Sequence, residues 1–259
     1  MHDFLGIFKD LFRQMQEDKI LQLGIGGRIL ELGCYNGYLE IELAERGGDY
    51  VVGVDLNRFD IGCLAKSENL LDERFLTSSA TTPQILDARS RVDFLCSDAQ
   101  FLPFREKVFD LVICSQLLEH VKEPERILVE TRRILKTRGK LFVSVPNRFC
   151  PRETHNAPVF LHWLPYKFWL RHAWIHSRCD RRRSTWFVHR FYTRFLLRDQ
   201  LIRAGFRINS LQEAQYVPSK IYFLVGNKGI RRILSMANEI LERVPFFKHL
   251  GAAVLAVAS

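Results

Sequence analysis

The sequence predicts an α/β fold: one open, doubly wound, mostly parallel sheet with helices on both faces. Three observations carry this reading. Short continuous apolar runs recur, among them Leu111-Val-Ile-Cys114 and Leu141-Phe-Val-Ser-Val145, as strands buried on both faces require. Between them Ile127, Leu128, Ile134 and Leu135 recur at helical spacing. Strands that alternate with helices pair in parallel. The third observation is a strand–turn–helix–strand pattern near the start of the chain.

That pattern is Arg28-Ile-Leu-Glu-Leu-Gly-Cys-Tyr-Asn-Gly37 followed by Tyr50-Val-Val-Gly-Val-Asp55. An apolar run ends in an acid, Glu31, and two glycines, Gly33 and Gly37. A second apolar run ends in Asp55. A nucleoside cofactor needs these parts: backbone that can approach closely, and a carboxylate that accepts both ribose hydroxyl hydrogens. The dinucleotide fingerprint G-x-G-x-x-G is not met, because Tyr35 stands where its second glycine would be.

Three later stretches follow in order. Val92-Asp-Phe-Leu-Cys-Ser-Asp-Ala-Gln-Phe-Leu-Pro-Phe104 leads into Val108-Phe-Asp-Leu-Val-Ile-Cys-Ser-Gln-Leu-Leu-Glu-His-Val121. Pro124 to Lys136 then precedes Gly139-Lys-Leu-Phe-Val-Ser-Val-Pro-Asn147. Together with the glycine turn these resemble the motifs of the class I S-adenosyl-L-methionine (SAM) methyltransferases. The likeness points to the small-molecule branch that includes the quinone-biosynthesis enzymes. The glycine turn resembles that family's motif I, E/D-x-G-x-G-x-G, with Tyr35 at the middle position. The resemblance implies a Rossmann-like seven-stranded sheet whose last strand is antiparallel. It implies SAM as cofactor and assigns the site residue by residue. Glu31, Gly33, Cys34 and Gly37 hold the methionine end, Asp55 the ribose, and Asp98 and Ala99 the adenine edge, with Tyr35 and Leu56 also among the cofactor-binding residues. Ser115 and Gln116 line the mouth shared with the acceptor.

The remaining elements read as follows. Pro124 suits the first turn of a helix, Glu123 and Glu125 place negative charge at its start, and Lys136, Arg138 and Gly139 suit its end. Phe191 to Phe206 reads as the helix before the sixth strand, with Thr193 as N-cap and Gly205 as C-terminal glycine. Phe206 to Ala214 and Ala252 to Ala258 read as strands, with helical spacing from Ile230 to Arg243 between them. The segment Ser67 to Arg91 gives the weakest signal, with a short helix opening within Pro83 to Ala88. The N-terminus places Phe4, Ile7, Phe8, Leu11 and Met15 on one helical stripe. It reads as a helix capping the fold, with a membrane-surface anchor as the alternative. It lacks the features of a secretory signal.

Four parts are expected: an amphipathic helix over 1–24, the SAM-binding core over 25–147, an α-rich insert over 148–190, and the rest of the sheet over 191–259. Charge singles out the insert region. Of the chain's formal +9, residues 148 to 207 hold 13 Arg and Lys against three acids, a net +10. All four tryptophans lie in the same stretch. Arg181-Arg-Arg183 adds attraction for phosphate, and tryptophan beside Arg and Lys suits a membrane interface. The readings are a solvated loop packed by its tryptophans, an amphiphilic anionic acceptor or membrane surface, and RNA. Nucleic acid is the least favoured. The chain lacks a recognisable RNA-binding module and the N/D-P-P-Y/F tetrapeptide of base N-methyltransferases. The expected reaction is O- or C-methylation of a small or lipid-like acceptor. The alternatives are a binding protein that kept the fold without catalysis and an RNA methyltransferase.

No stretch of 18 uncharged apolar residues occurs, so no spanning helix is expected. The six cysteines, Cys34, Cys63, Cys96, Cys114, Cys150 and Cys179, form no C-x-x-C pair and no zinc-spaced cluster. They read as reduced and structural, with Cys96 and Cys114 as small hydrophobes in strands, in a cytoplasmic protein that meets a membrane only peripherally. No metal is expected. A hydroxyl nucleophile needs a general base. His120 is the candidate, set against a structural role for the Leu-Glu-His-Val run; His155 and His189 are the alternatives.

Overall fold

The computed structural model describes residues 19–24, 26–35, 37–56, 90–150, 167, 188, 190–213 and 253–259. The N-terminal stripe, Ser67 to Arg89, nearly all of the insert with its tryptophans, the helical spacing at Ile230 to Arg243, Cys63, Cys179, His155 and His189 lie outside the described residues.

Seven strands form one sheet: β1 (Arg28–Leu32), β2 (Tyr50–Asp55), β3 (Val92–Cys96), β4 (Phe109–Ser115), β5 (Leu135–Pro146), β6 (Ile208–Glu213) and β7 (Ala253–Ala258). Their order across the sheet is β3-β2-β1-β4-β5-β7-β6. All pairings from β3 to β5 are parallel, and β7 is antiparallel to both neighbours, β5 and β6. The described helices are α1 (Tyr38–Glu45), α2 (Pro124–Ile134) and α3 (Arg194–Arg203).

Alternation along each strand divides the core between two faces. Leu30, Leu32, Val52, Val112, Leu141 and Val143 meet Ile127 and Leu128 of α2 and Leu197 and Leu201 of α3. Ile29, Val51, Leu111, Ile113 and Phe142 meet Leu43 and Ala44 of α1, with Ile20 beside them. Both faces are therefore covered, which is why the central strands read as unbroken apolar runs.

Thr193 caps α3 as expected, its side chain accepting from the Leu196 N–H at 3.2 Å, and Gly205 follows the helix at φ +84°. The end of α2 differs from the sequence reading. The helix stops at Ile134, and Leu135 already pairs with Phe109 of β4. The next paired residue, Lys140, lies opposite Leu111, so residues 136 to 139 bulge opposite Asp110. Lys136 Nζ bonds both Asp110 oxygens at 2.7 and 2.8 Å and holds the bulge. Gly139 is thus not a helix cap. A Cβ there would lie 2.8 Å from Leu135 Cδ2 and 3.1 Å from the Lys136 backbone, so a larger residue would have to displace the Leu135 side chain and shift the bulge slightly. Cys96 is also corrected: it is exposed, because β3 is an edge strand.

The chain leaves the sheet after β5 and returns at the same place. Asn147 forms a parallel bridge with Tyr192, and the Arg148 N–H donates to the Tyr192 carbonyl at 2.6 Å. Tyr192 is fully buried, so the two ends of the segment between them are stitched into the core.

Candidate active site

Strand order locates the site. From β1 the chain winds outward through β2 to β3, then crosses back to β4 on the other side of β1. Neighbouring connections diverge at this reversal, and the carboxyl ends of β1 and β4 leave a crevice between them.

The turn after β1 is held by β2. The Val54 carbonyl accepts from the Gly33 N–H at 2.7 Å and the Cys34 N–H at 3.1 Å. The Asp55 carboxylate accepts from the Tyr35 N–H at 3.0 Å, and the Cys34 carbonyl accepts from the Gly37 N–H at 2.8 Å. Gly33 and Gly37 have φ of +80° and +67°, and a Cβ at Gly33 would also come within 3.2 Å of Leu117 Cδ1. Tyr35 has φ +47°. It takes up the left-handed conformation for which glycine is ordinarily used, with the Asp55 bond to compensate. Its ring is exposed.

Asp55 closes β2, and Leu56 beyond it is exposed. After β3, Asp98 Oδ1 accepts from the Gln100 N–H at 2.9 Å and the Asp98 carbonyl from the Phe101 N–H at 2.9 Å. This tight turn fixes the carboxylate and sets Ala99 against the core. After β4, Gln116 has φ +53°. Its N–H donates to the Ser144 carbonyl at 2.8 Å and its Nε2 to Ser144 Oγ at 2.9 Å. Ser115 and Gln116 are thus tied to β5. Sequence reading missed Ser144, a fully buried serine inside an apolar run.

His120 ends a short 3-10 turn, Leu118–His120. Its side chain is only 13% exposed, with Nε2 3.8 Å from the fully buried Glu119 Oε1. The return of the insert passes here, since the Arg190 N–H donates to the Glu119 carbonyl at 3.4 Å.

Cys34 is no nucleophile. Burial, then the negative charge of Glu40, Glu31 and Asp55, pushes its thiol far above the ordinary range. Burial does the same to Cys114, with Glu119 and Glu31 adding to it.

A methyltransferase-domain family model matches residues 8–211. The chain belongs to this family. Among the relatives of this chain, the ubiquinone biosynthesis O-methyltransferase of Coxiella burnetii (strain Dugway 5J108-111) is 29% identical over 154 residues, 53% of this chain and 58% of that protein. The protein of the same name from Xylella fastidiosa (strain M23) is 28% identical over 169 residues, 58% of this chain and 61% of that one. The chain therefore spans little more than half the length of these curated relatives. A SAM-dependent methyltransferase from Mesorhizobium loti shares the fold, with a TM-score of 0.55 at 18% identity over 90% of this chain and 91% of that one. The family is a methyltransferase domain, and the solved structure shares its Rossmann-like fold.

Proposed function

We propose that this chain is a SAM-dependent methyltransferase acting on oxygen or carbon of a small or lipid-like acceptor. One observation carries the reading. Glu31, the Gly33–Gly37 turn, Asp55, Asp98 and Ser115–Gln116 stand at the carboxyl ends of four adjacent parallel strands, around the reversal of strand order. The residues present fit the cofactor. Positive-φ backbone at Gly33 and Gly37 leaves room for close approach, and Asp55 presents a carboxylate at the strand tip.

Bound SAM supplies a methyl group activated on a sulfonium. The protein's part is to align it, exclude water and, for a hydroxyl acceptor, remove a proton. Asp55 accepts from the ribose hydroxyls, with Leu56 flanking them. Asp98 and Ala99 meet the adenine edge. Glu31, Gly33, Cys34, Tyr35 and Gly37 hold the methionine end. Ser115 and the tethered Gln116 border the acceptor. His120 is the base candidate, and its near-burial beside Glu119 equally suits a structural role. Calorimetry with SAM and with its demethylated product tests the reading. Micromolar binding of both is expected; NADH binding without SAM binding would refute it. A chain that binds SAM yet transfers no label to lipid extracts would be the binding protein.

The acceptor is proposed to be amphiphilic and anionic, reached at a membrane surface by the insert over 148–190. The name of the relatives, ubiquinone biosynthesis O-methyltransferase, supports O-methylation and an amphiphilic acceptor. Within the described residues no helix is long and apolar enough to cross a membrane, and the contact proposed is a peripheral one. Co-sedimentation should favour anionic over neutral vesicles at low salt and lose that preference at high salt, where the screening length falls to roughly 3 Å at 1 M. Equal sedimentation with both lipids would remove the membrane contact, and preferential retention on RNA would favour the RNA methyltransferase.

A further inference from the structure

The connection from β3 to β4 crosses the sheet, because β2 and β1 lie between those strands. Such crossovers are ordinarily helical, and a helix satisfies its own backbone groups. Here the described residues 97 to 108 form turns without a helix. The connection still packs on the core through Ala99, Leu102, Phe104 and Val108, with Leu102 buried. Its backbone polar atoms therefore need partners from elsewhere in the fold.

Helix α2 supplies them. Glu130 Oε1 accepts from the Leu102 N–H at 2.9 Å. Arg133 donates from Nη2 to the Leu102 carbonyl at 3.1 Å and from Nη1 to the Phe104 carbonyl at 2.8 Å. The two side chains also lock each other. Arg133 Nε and Nη2 donate to Glu130 Oε2 and Oε1 at 2.8 and 2.6 Å. This is a planar two-pronged pairing that lysine does not reproduce. The Arg133 hydrogen bonds hold the Glu130 carboxyl below the ordinary carboxylate range, so both groups are charged near neutrality. Nearer the start of α2, the Arg126 guanidinium lies 6.0 Å over the Phe101 ring. Arg126, Glu130 and Arg133 are spaced four and three residues apart, so they form one stripe of the helix.

The turn that carries Asp98 and Ala99 stands just before Leu102. The Ser97 N–H ties its start to the Asp55 carbonyl at 3.1 Å, at the tip of β2. The turn is thus held by β2 on one side and by α2 on the other. We propose that Glu130 and Arg133 are positioning residues for the adenine side of the cofactor site: they set where Asp98 and Ala99 stand, and so how strongly the site prefers adenine. The inference rests on the SAM reading above. Both residues act through the backbone at Leu102 and Phe104. A carboxylate accepts from the amino group of adenine and has no donor to meet where a base carries a carbonyl instead. Displacing Asp98 therefore weakens the adenine compound more than its carbonyl counterpart.

The test compares two ligands by calorimetry on the whole chain: S-adenosylhomocysteine and S-inosylhomocysteine, in which a carbonyl replaces the amino group of the base. The parent should bind the adenine compound at least roughly tenfold more tightly, the worth of one hydrogen bond to a charged group. Arg133→Lys keeps the charge and loses the planar pairing. It should lose most of that preference, through weaker binding of the adenine compound. Lys136→Met breaks the Lys136–Asp110 pair near the amino end of β4. It controls for lost stability and should keep the preference. Parent-like preference in Arg133→Lys, or equal loss in Lys136→Met, would overturn the proposal. Amide exchange needs no ligand. The Leu102 N–H should be protected in the parent. In Arg133→Lys, protection at Gln100, Phe101 and Leu102 should fall while Ile113 and Val143 in the sheet keep theirs. A parent Leu102 amide that exchanges as fast as unstructured chain would also overturn it. If neither compound binds, the cofactor reading fails, and exchange still decides whether the pair holds the turn: unchanged protection at Gln100 and Phe101 in Arg133→Lys means that it does not.

Discussion

A chain lacking residues 152 to 183, rejoined through a short linker, is expected to bind SAM as the parent does and to transfer no methyl group. The first half of that expectation rests on the stitch between Asn147 and Tyr192. Their bridge, with the Arg148 N–H on the Tyr192 carbonyl, brings the roots of the removed segment together, so a short linker spans them without strain. The proposed cofactor residues, Glu31 to Gln116, lie outside the deletion. The second half rests on place: the root of the segment touches Glu119, beside His120, at the end of β4 that carries Ser115 and Gln116. The segment is proposed to capture the acceptor and exclude water, so its removal should abolish transfer. Equilibrium binding of SAM and a labelled-methyl assay on lipid extract separate the two halves. A folded deletion variant that has lost SAM binding would assign the segment to the cofactor pocket instead.

Asp55→Ala is expected to weaken SAM binding by roughly 10- to 100-fold, from charge-assisted hydrogen bonds of about 1.5–3 kcal/mol. The side chain has two duties. In the proposed site it accepts from the ribose hydroxyls, and it already accepts from the Tyr35 N–H at 3.0 Å. Alanine removes the ribose acceptor and frees a turn in which Tyr35 holds a left-handed conformation. Asp55→Asn keeps an acceptor for the turn and loses the charge, so it should fall between parent and Asp55→Ala. Calorimetry on the three proteins checks the order; parent-like affinity in Asp55→Ala would show that the ribose lies elsewhere.

Much of the fold that carries the proposed site could be read from the sequence. The strands announce themselves because both faces of the sheet are covered, so each central strand is a plain apolar run bounded by an acid or a glycine. The Thr193 cap and Gly205 act within one turn of chain and are visible for that reason. What stayed hidden depends on residues far apart in sequence. Lys136, Arg138 and Gly139 have the composition of a helix end, yet Leu135 is drawn into pairing with Phe109 and the helix stops early. Glu40 looks like a surface acid, and only the packing of α1 over Gly53 buries it. Ser144 is silent inside an apolar run until Gln116 reaches across from β4. Cys96 had the right neighbours for a buried strand residue but lies in a strand at the sheet edge.

The antiparallel strand β7 lies between β5 and β6, although it is the last of the three in the chain. During synthesis β6 emerges before the strand that joins it to the sheet exists. Until Ala253 to Ala258 leaves the ribosome, neither β5 on that side nor β6 has its strand partner among the described residues. The parallel half from β3 to β5 can assemble as it is made; the other half waits for the C-terminal strand and then closes on both sides at once. Such late pairing of distant segments slows folding. It also leaves the nascent chain with an open strand edge, the kind of surface that other chains pair with and that chaperones shield.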